Sequence, residues 1–87
     1  MPNKELIDDD RTKNSQKELM KLILHVIKNS DGNLSEKELF EEIKNNDDFD
    51  KEHYWRFNQN RLNQLLNSYY LENPYTSSIM DIYQDLK

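Results

Sequence analysis

Five side chains between residues 56 and 64 carry the donors and acceptors that read a nucleic-acid base edge: Arg56, Asn60, Arg61, Asn63 and Gln64. A guanidinium gives paired donors to guanine, and a carboxamide pairs with adenine. Each good bidentate contact is worth about 1–3 kcal/mol of discrimination. No acidic residue interrupts the chain from His53 to Tyr70. A second group has the opposite character. Glu41, Glu42, Asp47 and Asp48 offer acceptors to a basic partner. Beside them in sequence, Tyr54 and Phe57 have the composition of an interface anchor. Catalytic chemistry is thinly supplied. His25 and His53 stand without a nucleophile or metal-ligand spacing around them. The chain has no cysteine, which excludes disulfides, thiolate metal sites and a cysteine nucleophile. No enzyme activity, cofactor or metal is therefore expected.

The elements that position these groups are helices with coded starts. Ser15 and Glu18 have capping-box spacing ahead of Leu19, Leu22, Ile23, Val26 and Ile27, an apolar stripe widened by Met20 and Leu24. This helix should be the most buried and should end near Asn29, with Gly32 at a positive φ in the following turn. Ser35 and Glu38 repeat the box, with Leu34 and Leu39 as a hydrophobic staple, and Leu39, Phe40 and Ile43 form a narrow seam. Asp50 caps a third start, with Phe49 and Tyr54 at staple positions.

The third helix is expected over 51–71, stopping before Asn73-Pro74. On a wheel of about 100° per residue, Trp55, Leu62, Leu65, Leu66 and Tyr69 face the core. Arg56, Phe57, Asn60, Asn63, Gln64 and Asn67 face outward, with Arg61 on the flank. Asn58 is a polar misfit in the apolar stripe, expected to bond to neighbouring backbone. Beyond Pro74 the segment 75–87 reads as a helix starting near Ser77 and Ser78. Its Ile79, Ile82, Tyr83 and Leu86 share one side, a stripe suited to a homodimer seam. A strand is the other reading of that segment, since its aromatic and β-branched residues suit strands.

The order of a buried helix, a short capped helix, a tight connection and a longer helix resembles a helix-turn-helix or winged-helix domain. The resemblance rests on ELMKLILHVI (18–27), LSEKELFEEI (34–43) and RFNQNRLNQLL (56–66). It implies that the 51–71 helix takes the recognition position in the major groove of duplex DNA. The chain departs from that family in an acidic connection at 45–50 and in having no glycine-rich wing. Residues 18–39 also align without gaps to a helix–loop–helix calcium hand. Asn29, Asp31, Gly32, Leu34, Ser35 and Glu38 then fall at the third, fifth, sixth, eighth, ninth and twelfth loop positions. The first position is Ile27, which has no oxygen to offer, and a glycine turn before a capped helix produces the same letters unaided.

The totals bound these readings. With 87 residues the chain makes one small domain: a polar N-terminal arm over 1–14 and a helical domain over 15–87. The expected fold is all-α, three to four helices, helix-turn-helix-like, with a short β-hairpin wing after the third helix as an option. Net charge is −5, which opposes non-specific nucleic-acid binding. The acids concentrate at 31–50, whereas 11–29 and 51–70 are net basic. Mean hydropathy is −1.12, no apolar run reaches the roughly 18 residues of a membrane span, and the polar start does not read as a signal peptide. A cytoplasmic protein is the expectation. Alanine is absent while Asn, Lys and Ile abound, as suits AT-rich coding such as that of a phage or plasmid.

Two functions follow from these residues. One is a small, dimeric DNA-binding regulator or accessory protein reading duplex DNA through Arg56, Asn60, Arg61, Asn63 and Gln64. The other is an acidic protein-binding module, an inhibitor or adaptor acting on a nucleic-acid-processing host protein. That module would use Glu41, Glu42, Asp47, Asp48, Tyr54 and Phe57.

Overall fold

A computed structural model describes residues 13–87 as four helices: α1 (Lys13–Lys28), α2 (Glu36–Lys44), α3 (Gln59–Glu72) and α4 (Ile79–Leu86). The expected arm falls mostly outside the described residues, but Lys13 and Asn14 already belong to α1. No strand occurs among the described residues. The all-α expectation holds, and 75–87 resolves to the helical alternative. A wing has no place between α3 and α4, because Thr76 folds that link back with its hydroxyl donating to the Asn73 carbonyl at 2.6 Å.

α1 packs against both α2 and α4, and α2 packs against α3. The broad α1 stripe explains this: Leu19, Ile23 and Ile27 are wholly buried and Val26 nearly so. α2 adds Leu39 and Ile43, α3 adds Leu62, Leu65 and Leu66, and α4 adds Ile79 and Ile82. The α4 stripe is thereby consumed inside the protomer. Tyr83 and Leu86 pack against the same core, so the expected homodimer seam is not a free surface. An eight-residue helix cannot hold together on its own in water, and α4 is helical because this face is covered.

The capping signals are realised unevenly. At α2 the box is complete: Ser35 Oγ accepts from the Glu38 amide at 3.1 Å, and Glu38 Oε1 accepts from the Ser35 amide at 2.9 Å. Gly32 takes φ +81° as expected. At α1 the box is absent, because the helix continues past Ser15 to Lys13. Ser15 spends its hydroxyl on a tertiary contact instead, 2.8 Å from His53 Nε2.

The largest departure lies between α2 and α3. The helix expected over 51–71 is two pieces, a turn at 51–56 and α3 from Gln59. Asp50 does cap the first piece, its Oδ1 accepting from the Glu52 and His53 amides, and Phe49 stacks on Tyr54 at 5.7 Å as a staple should. The turn then tightens, with the Phe57 amide donating to the Tyr54 carbonyl. Asn58 becomes extended (φ −144°, ψ 179°) and its side chain accepts from the Arg61 amide at 2.8 Å. The misfit asparagine is thus an N-cap. This break rotates everything before it. Phe57 turns inward, 6% exposed, and Trp55 turns outward, 64% exposed. Both are the reverse of the wheel expectation. The driving force is the aromatic cluster: Phe57 stacks on Phe40 at 5.3 Å and tilts against Phe49 at 5.5 Å. Each such pair adds about 0.5–1.5 kcal/mol beyond its buried area.

Candidate functional site

The connection from α2 to α3 spans residues 45–58. A helix-turn-helix needs a turn of roughly 3–4 residues, so the tight connection expected from the sequence is not formed. What the connection does build is a surface centred on the 51–56 turn. The turn is tied down at two points. Tyr54 Oη donates to the Ser15 carbonyl at 2.9 Å, and His53 meets Ser15 Oγ. His53 also lies edge-on to Tyr54, ring centroids 4.7 Å apart. With Tyr54 and His53 held, the next two residues project to solvent. Trp55 and Arg56 are both exposed, and the Arg56 guanidinium lies 4.8 Å from the Trp55 ring centroid, a cation–π pair.

The five residues expected to read bases are distributed as follows. Arg56 belongs to the turn, not to α3. Asn60 and Gln64 are exposed on α3, while Arg61 and Asn63 are half-buried. Arg61 Nη1 donates to Gln64 Oε1 at 3.3 Å. Asn63 Oδ1 accepts from Gln59 Nε2 at 3.2 Å, and the same Gln59 amide reaches the Glu36 carbonyl at 3.1 Å. Asn63 is therefore part of the tie between α3 and the start of α2. The outward amide face expected of this helix is present at Asn60, Gln64 and Asn67, but not at the half-buried Asn63.

Glu41 and Glu42 are exposed on α2, and Asp47 is exposed just beyond it. Asp48 is exposed as well and shares a shallow depression with Lys21, His25 and Tyr54. Tyr54 and Phe57, expected as an exposed anchor, belong to the core at 9% and 6% exposure. That patch does not exist, because both rings close the aromatic cluster. The exposed aromatic of this turn is Trp55, expected inside on the wheel. One signal could have found this. Phe57 and Leu62 flank Asn58 at the two positions of a hydrophobic staple, so a helix start at Asn58 was legible.

In the calcium-hand segment the oxygens have local duties. Asp31 Oδ1 accepts from the Asn33 amide, Ser30 Oγ from the Gly32 amide, and Glu38 closes its capping box. Among the described residues no group of three or more His, Cys, Asp or Glu could hold a metal ion, and no helix is long and apolar enough to cross a membrane. No family model matches the chain, and neither curated proteins nor solved structures show a significant similarity to it.

Proposed function

We propose that this protein is an acidic protein-binding module whose contact is anchored by Trp55 and Arg56. The observation that carries this reading is the exposed, stacked Trp–Arg pair held out on a clamped turn. Trp and Arg are the residue types that dominate interface energetics, and a pre-positioned pair loses little entropy on binding. The exposed carboxylates Glu41, Glu42 and Asp47 favour a partner with a basic surface, such as a protein that itself handles nucleic acid.

The test compares capture of partners from a host extract by the wild-type chain, Trp55→Ala, and a Glu41/Glu42/Asp47→Lys variant. A basic protein retained by the wild type and lost by both variants is the expected result. If Trp55→Ala retains the same proteins as wild type, the anchor assignment fails.

A second reading, a DNA-binding regulator or accessory protein, is favoured by one observation: Asn60 and Gln64 are exposed on a helix that carries no acid before Glu72. It is the weaker of the two. Only Arg56 and Arg61 bring charge to that face, whereas high affinity for duplex in an acidic protein rests on several neutralised phosphates. Gel-shift selection on random duplex at low salt tests it. A selected sequence whose retention falls with Asn60→Ala and Gln64→Ala would put this reading ahead.

A further inference from the structure

We propose that the groove between α1 and α3 is a docking site for an acidic amphipathic helix of a partner protein. Its floor is apolar: Leu65 is buried, and Met20, Leu24 and Tyr69 pack half-buried against the core. Its volume is about 410 Å³, room for several side chains and open along its length. One rim carries Lys17 and Lys21, both exposed and one helical turn apart. The facing rim is uncharged at Ser68, and a single acid, Glu72, stands at the end of α3.

Charge complementarity selects the occupant. In a chain of net charge −5, this apolar floor is edged by lysines. Lys21 pairs with Glu18 at 3.4 Å, but both side chains are about two-thirds exposed (65% and 66%), so the pair is weak and its ammonium can turn to an incoming carboxylate. The lining of α1 runs from Gln16 to Leu24. At 1.5 Å per residue that is about 12 Å, two turns of a docked helix. Carboxylates four residues apart on that helix match the Lys17–Lys21 spacing, and its i, i+3/i+4, i+7 apolar residues enter the groove. Met20 adapts its unbranched side chain to whatever ring or branch arrives. Neither Trp55 nor Arg56 lines this groove.

Fluorescence anisotropy with the full chain tests the assignment. The probe is a labelled 14-residue peptide with leucines at helical spacing and glutamates elsewhere. Its counterpart carries lysines in place of the glutamates. The glutamate peptide is expected to bind at least tenfold tighter than the lysine peptide. Lys17→Glu with Lys21→Glu, two surface changes whose fold is checked by circular dichroism, should abolish that preference. Trp55→Ala should leave it intact, which separates this site from the anchor proposed above. Equal binding of both peptides, no binding of either, or a preference that survives the double lysine reversal overturns the proposal. Residues 5–10, Glu-Leu-Ile-Asp-Asp-Asp, have the chemistry of such a ligand. A deletion of 1–12 is therefore a further arm. If the peptide binds only after that deletion, the groove belongs to the chain's own first residues and the partner assignment falls.

Discussion

Gly32 lies directly under the ring of Tyr83. A Cβ added to Gly32 would sit 2.6 Å from Cγ and Cδ2 of that ring, and the glycine holds φ +81°. The turn after α1 is thereby locked to α4, and two independent constraints demand glycine at one position.

Gly32→Ala is accordingly expected to destabilise the protein by at least about 1–2 kcal/mol from the left-handed backbone alone, with the ring clash in addition. Urea unfolding checks the size. A Tyr83→Ala background should relieve the steric part and leave the backbone part, giving a non-additive double mutant. Additivity would mean the ring simply moves aside.

Phe57 and Trp55 exchange the roles that a continuous helix would give them. Phe57→Ala should cost about 3–5 kcal/mol as a core deletion. Trp55→Ala should stay within about 0.5 kcal/mol, as an exposed substitution. Chemical denaturation of the two variants side by side decides it. A larger loss at Trp55 would restore the unbroken helix.

Asn58→Ala removes the cap from α3 and should cost about 1 kcal/mol, while Asn58→Asp keeps a capping oxygen and should be close to neutral. Thermal unfolding of both variants is the measurement. If Asn58→Ala has no effect, the break at 57–58 is held by Phe57 burial alone.

Tyr69 and Tyr70 both titrate above the ordinary tyrosine value of 10.0. For Tyr70 burial is the main cause, with Glu36 and Asp81 adding repulsion; for Tyr69 burial leads and Asp85 adds. In both, the folded state holds the phenolic proton more tightly than the unfolded chain does. The stabilisation is complete below pH 10.0 and is lost as pH rises through the folded value. Stability should therefore fall on the alkaline side, and Tyr70→Phe should flatten that fall relative to wild type. Denaturation midpoints between pH 8 and about pH 11 measure it.

Much of the architecture was written locally. Ser35 with Glu38, Gly32, and the periodic leucines and isoleucines of α1 and α2 specify helix starts, stops and buried faces through contacts within a few residues. Those contacts need no knowledge of the rest of the chain. The helix over Ile79–Leu86 was also legible as an amphipathic stripe.

Tertiary structure decided what local pattern left degenerate. Ser15 had the spacing of a cap but gave its hydroxyl to His53, thirty-eight positions away. The 53–70 stretch fits a single wheel, and the competing claim of Phe40 and Phe49 on Phe57, with Asn58 as N-cap, breaks it. That break sends Trp55 to the surface and withdraws Tyr54 and Phe57 from it, while packing against α1 consumes the α4 stripe expected to serve a dimer. Local patterning establishes that a residue is apolar enough to be buried. Which of two aromatics two positions apart is buried depends on rings delivered by other parts of the chain, and that was settled only when the chain closed on itself.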